Sequence, residues 1–187
     1  MKTTRLIARA LGSRRGFTLV EVLVASMILV VALLTLASMF PVGYKQIADG
    51  GRMTMAVTGA RHILEDVGDI PFANISNING VDTASNTGVI AGLTGTESAL
   101  ARRWRYMLAG SGNGFTFTSA ETTAWGTVQS FAGRAMVQVC DPGVVPPAPP
   151  TACAAPIHPS QRQVTVTISV PGLSANVSAS TIIVRLF

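Results

Sequence analysis

The chain has 187 residues, 48% of them hydrophobic and 12% charged, with a formal net charge of +5. That balance fits a membrane-anchored or exported chain better than a cytosolic enzyme, and the length allows one membrane segment plus a soluble domain of roughly 110 to 130 residues. The basicity is local: Lys2, Arg5, Arg9, Arg14 and Arg15 precede Gly16 with no acid among them, and the nine Lys/Arg that follow are matched by nine Asp/Glu. A neutral remainder gives no general reason for the domain to bind polyanions.

Residues 1–16 read as a basic leader. Residues 17–40 follow as 24 residues with a single formal charge, Glu21, at the fifth position. A helix of that length rises about 36 Å, enough for the roughly 30 Å hydrocarbon core of a bilayer. The basic flank predicts an orientation with the leader cytoplasmic and the remainder outside. A carboxylate inside an apolar span is costly unless something answers it. The apolar run is also too long for an ordinary signal peptide, and it opens with an acid.

Pro41 and Gly43 predict a kink or a locally melted stretch, because proline removes a main-chain donor and crowds the preceding turn. An amphipathic half-helix is expected over 41–68, with an apolar stripe of Met53, Val57, Ala60, Leu64 and Val67 and with Gly68 as its C-terminal cap. His62 is expected to pair with Glu65 and Asp66 along the helix surface.

Residues 69–187 read as a long polar loop to about Ala101, with at most a helical turn at 98–101, followed by a sheet. Period-two alternation suggests strands at Trp104–Leu108, Phe115–Thr118, Arg134–Cys140, Gln163–Val170 and Ile182–Leu186, with turns at Gly110–Gly114 and Pro171-Gly172. The expected fold class is α+β: a long kinked N-terminal helix, its first half transmembrane, laid by its second half on one face of an antiparallel sheet.

Seven prolines fall within residues 142–159, five of them between Cys140 and Cys153. For an exported chain the default for such a pair is a disulfide closing that segment, with free thiols or a metal held by Cys140, Cys153 and His158 as the alternatives. The lack of a paired Cys-x-x-Cys argues against zinc, and no metal or cofactor is expected. Arg102-Arg103-Trp104-Arg105-Tyr106 mixes cations and aromatics as single-strand binders do. Read as a strand, however, it separates the rings from the arginines onto opposite faces. No nucleophile elbow, phosphate loop or His-Glu-x-x-His occurs, so no enzyme chemistry is expected.

The stretch Gly16-Phe17-Thr18-Leu19-Val20-Glu21-Val-Leu-Val-Ala-Ser resembles the start of type IV prepilins and of the pseudopilins of type II secretion. The resemblance covers residues 14 to about 40; beyond that only the general layout agrees. It implies cleavage by a membrane peptidase after Gly16, methylation of the new amino terminus on Phe17, and a role for Glu21 in assembly. It further implies a structural subunit, with other pilins, the prepilin peptidase, an inner-membrane assembly platform and, before assembly, the bilayer as partners. Glu21, one turn from Phe17, would answer the amine that cleavage creates. The rivals are a secretion pseudopilin and, in a different class, a membrane-anchored DNA-binding module.

Overall fold

The computed structural model describes residues 16–85, 89–126 and 132–185. The chain divides into two compact units, Met1–Gln46 and Ile47–Phe187. Helix α1 (Leu19–Gly68) is 50 residues long, about 75 Å at 1.5 Å per residue. It continues without interruption through Pro41, Val42 and Gly43, so the local melting expected there is absent. Gly68 ends the helix but does not adopt a left-handed cap. Instead Asp69 and Ile70 donate their N–H groups to the carbonyls of Asp66 and Val67, tightening the last turn.

In the first unit, α1 is apolar all round and exposed along its length. Its hydroxyls are satisfied internally: Ser26 donates to Leu23 O at 2.8 Å, Thr35 to Ala32 O at 2.8 Å and Ser38 to Thr35 O at 2.7 Å. A span in lipid requires this, because no water is present to solvate them.

The second unit is the α+β domain. After α1 come a 3-10 helix (Phe72–Ile78), strand β1 (Val81–Asp82) and helices α2 (Val89–Gly92), α3 (Gly95–Leu108) and α4 (Ser119–Trp125). Strands β2 (Arg134–Cys140), β3 (Gln161–Ser169) and β4 (Val177–Val184) complete it. The four strands form one antiparallel sheet in the order β1-β2-β3-β4.

One sheet face presents Ala135, Val137 and Val139 directly opposite Ile168, Val166 and Val164. These six join Ala56, Ala60, Ile63 and Val67 of α1 and Trp104 and Leu108 of α3 in a single core. Burying a tryptophan of this kind removes some 200 Å² from water, about 5 kcal/mol before entropy is counted. At Gly59 a Cβ would lie 3.1 Å from Leu108 and 3.2 Å from Ile168, so glycine lets the helix sit this close to α3 and the sheet.

The sequence expectations need four corrections here. Residues 102–108 belong to helix α3, whose buried positions Glu97, Ala101, Trp104, Arg105 and Leu108 recur at helical spacing. The alternation at Trp104, Tyr106 and Leu108 is a short accident within that period. Phe115–Thr118 is extended but pairs with no strand, apart from an isolated bridge between Gly112 and Phe115. Phe117 instead packs edge-on to Tyr106 with ring centroids 5.7 Å apart. The segment 69–101 is not a bare loop, since it holds the 3-10 helix, β1, α2 and the start of α3. The α1 stripe is rotated: Ala56, Ala60, Ile63 and Val67 face the core, while Met53 stays 47% and Val57 39% exposed.

The sheet also buries part of its second face. Met136, Gln138 and Cys140 alternate with the core residues of β2 and are buried as well. The proline-rich connection reaches Gln138 and, through Cys153, Cys140. Gln138 Nε2 donates to Pro147 O at 2.8 Å and to Thr151 O at 2.6 Å. Asn79 Oδ1 accepts from Val139 N at 3.0 Å and Cys153 N at 3.3 Å, and its Nδ2 donates to Cys153 O at 2.8 Å. A proline-rich segment offers few donors, so side chains of the sheet and its flank supply the tethers. The turn between β3 and β4 is as the sequence reads it: Leu173 N–H bonds Val170 O across Pro171-Gly172, with Gly172 at φ 87°. Of the last expected strand, Leu186 lies outside the described residues.

Candidate processing and assembly site

Gly16, Phe17 and Thr18 form the non-helical approach to α1. Thr18 is the helix N-cap: its Oγ1 accepts from Glu21 N at 3.2 Å and its carbonyl accepts from Val22 N at 3.2 Å. Phe17 is 80% exposed and stands before the cap, so it is not on a helical face shared with Glu21. That corrects the one-turn relation expected within a single chain. The Gly16–Phe17 bond lies just outside the first helical turn.

Glu21 occupies the third helical position, where the N-terminal end of the helix favours a carboxylate. The sequence Thr18-x-x-Glu21 has the form of a capping box. The same form is fully closed in α4, where Thr118 Oγ1 accepts from Glu121 N at 3.2 Å and Glu121 Oε2 accepts from Thr118 N at 2.7 Å. At α1 only the threonine half is formed. Glu21 has no side-chain hydrogen bond or ion pair among the described residues, whereas every hydroxyl of the span has a main-chain partner. Among the described residues it is the one polar side chain of the span left unanswered. The role of Thr18 was legible in the Thr-x-x-Glu spacing and was missed beside the more conspicuous glutamate.

Cys140 and Cys153 are disulfide-bonded, with Cα atoms 5.4 Å apart. Their sulfurs are thus paired with each other. His158 serves the connection through its main chain, donating to Asp141 Oδ1 at 2.8 Å, while Ile157 N–H reaches Oδ2 at 3.0 Å. These two N–H groups, that of His158 foremost, hold the Asp141 carboxyl below its usual range.

The basic-aromatic run does not present a cationic surface. Arg105 is buried and gives its guanidinium to the carbonyls of Ser85 (2.6 Å), Gly112 (2.8 Å) and Gly110 (3.2 Å). Arg102 forms a two-pronged ion pair with Glu121, Nη2 lying 2.7 Å from Oε2. The hydrogen bond from Arg102 is the main reason the Glu121 carboxyl falls to about 2. Only Arg103 of the three faces solvent. His62 lies 3.7 Å from Glu65, but Asp66 turns to the core and accepts from Trp104 Nε1 at 2.8 Å.

Comparison with curated proteins and with solved structures returned no match. A family model described as the prokaryotic N-terminal methylation motif matches residues 11–37. The matched segment ends within the exposed apolar helix and contains Gly16, Phe17, Thr18 and Glu21. Over that segment the chain carries the type IV prepilin-like signature, set before a pilin-like α+β domain.

Proposed function

We propose that the chain is a non-enzymatic, minor-pilin-like structural subunit of a type IV pilus. It is inserted in the inner membrane by residues 17–40, with residues 1–16 cytoplasmic. A prepilin peptidase cuts after Gly16 and methylates the amine of Phe17, and the chain then passes through an assembly platform into a filament by packing α1 against the same helix of other pilin subunits. The observation that carries this reading is Glu21, the one unanswered polar side chain of the span, five positions into the mature chain. In a bundle of such helices a neighbour's Phe17 amine supplies the missing partner. Desolvation of the two charges offsets much of their attraction, so the pair fixes register more than it adds stability.

A secretion pseudopilus uses the same processing and the same helix. The two are told apart by finding the chain: filaments sheared from the cell surface contain a shortened form of it if it is a pilus subunit. Its absence from abundant sheared filaments, together with a secretion defect on deletion, favours the pseudopilus instead. A membrane-anchored nucleic-acid receptor finds less support, since Arg102 and Arg105 are committed to contacts inside the domain.

A further inference from the structure

Four of the five buried positions of α3 are explained by packing or bonding. Ala101, Trp104 and Leu108 belong to the core, and Arg105 is met by three carbonyls. Glu97 is the exception. It is 6% exposed, and its Oε1 is buried without a hydrogen-bond partner among the described residues. A carboxylate oxygen so placed loses its hydration without a hydrogen bond in return, which native proteins rarely tolerate without a use for it. The side chain lines a cavity of about 380 Å³ together with Asn77, Gly92, Leu93 and Thr94. The terminal torsion of a glutamate is soft, so either oxygen can turn toward that opening.

We propose that this cavity is a subsite for a primary ammonium group, with Glu97 as its counter-ion. The lining residues carry acceptors: the Glu97 carboxylate, the Asn77 amide oxygen and the Thr94 hydroxyl. An ammonium brings three donors and no acceptor, the complementary set. Leu93 offers an aliphatic wall for the methylene stem behind the charge. Charge balance selects a monocation. Glu97 contributes a single negative charge, and the described residues hold no group of three acidic, histidine or cysteine side chains that could share a metal ion. The N-terminus of α3 also points here, adding roughly half a positive charge that a dication would face. A calcium-like ion normally takes six to eight oxygens, and several carboxylates raise its affinity. The ammonium is that of a lysine side chain on a neighbouring polypeptide or of a small free amine; both present the same chemistry to Glu97.

The test is an amide NMR titration of the full-length chain in detergent micelles with n-butylammonium chloride. Saturable shifts confined to Asn77, Leu93, Thr94 and Glu97 are expected, weakened at least tenfold in Glu97→Gln and absent with tetramethylammonium, which has no N–H. If that variant does not fold, Thr94→Lys decides: an ammonium supplied from the cavity rim abolishes the butylammonium response. Nα-acetyl-lysine amide acting like butylammonium assigns the site to a polypeptide lysine, and butylammonium acting alone assigns it to a free amine. No saturable response to either, a response that survives Thr94→Lys, or calcium chloride saturating the same amides at lower concentration overturns the proposal.

Discussion

The hydroxyl of Thr18 accepts the main-chain N–H of Glu21 at 3.2 Å, closing the first turn of α1 while the Glu21 carboxylate has no partner among the described residues. The cap and the acid therefore have separable jobs. Thr18 defines where the helix begins, and with it how far Phe17 stands from the first turn. Glu21 carries a carboxylate that no side chain among the described residues answers. Changing one residue at a time tests that division.

Glu21→Ala is expected to insert in the membrane and be processed normally. Its incorporation into filaments should fall by about an order of magnitude, the ratio that roughly 1.4 kcal/mol of lost contact free energy produces. The readout is the fraction of the chain recovered with sheared filaments, normalised to the membrane pool. Unchanged incorporation removes the pairing role of the acid.

Thr18→Ala removes the cap at a cost of about 1 kcal/mol to the helix start. Amide exchange at Val20 and Glu21 in micelles should accelerate several-fold, with the core strands β2 and β3 unaffected. Thr18→Ser should restore protection, because its hydroxyl can make the same bond.

Within the domain, Trp104 Nε1 donates to Asp66 Oδ2 at 2.8 Å and so ties α3 to α1 in the core. Asp66→Ala leaves that indole N–H buried and unpaired, which costs about 1 to 3 kcal/mol. Trp104→Ala empties a fully buried position and costs about 3 to 5 kcal/mol. Thermal unfolding of the detergent-solubilised chain, followed by near-ultraviolet circular dichroism, ranks the two. Equal losses would contradict the larger share assigned to packing.

Acid should destabilise the domain through identifiable carboxylates. Glu121 falls to about 2 from its ordinary 4.5, chiefly through the hydrogen bond from Arg102; burial opposes the fall, and the Thr118 contacts add to it. Asp141 is lowered by the N–H groups of His158 and Ile157. A carboxyl depressed in the folded state adds stability that is full above its unfolded value and is lost as pH falls toward its folded value. The melting temperature should therefore decline as pH drops from about 4.5 toward 2, and Glu121→Gln should flatten that decline. A slope unchanged in Glu121→Gln would assign the acid sensitivity elsewhere.

Much of the outline was legible in the sequence for physical reasons. The unbroken apolar run from Phe17, the clean alternation from Val164 to Ile168 and the Pro171-Gly172 turn each have one inexpensive solution. The segment Trp104–Leu108 misled because five residues cannot separate a period of 2 from one of 3.6. Only the wider stripe from Glu97 to Leu108 decides it. Strand β1 is two residues long and exists because β2 offers an edge, with Arg134 clamping Asp82 at 2.6 and 2.9 Å. No local pattern announces such a strand. The burial of Gln138 was equally hidden, since it depends on where a distant proline-rich connection comes to rest. At the candidate processing site, the Gly16-Phe17 junction and Glu21 were plain from residue order. That Phe17 stands outside the helix could be known only from the cap.

The central claim is that the chain matures by losing residues 1–16 and gaining a methyl group on Phe17. Intact-mass and N-terminal analysis of the protein extracted from membranes that contain prepilin peptidase tests it most directly. A chain beginning at N-methylated Phe17 is the expected result. A chain that keeps Met1 through Gly16 with the active peptidase present would contradict the claim.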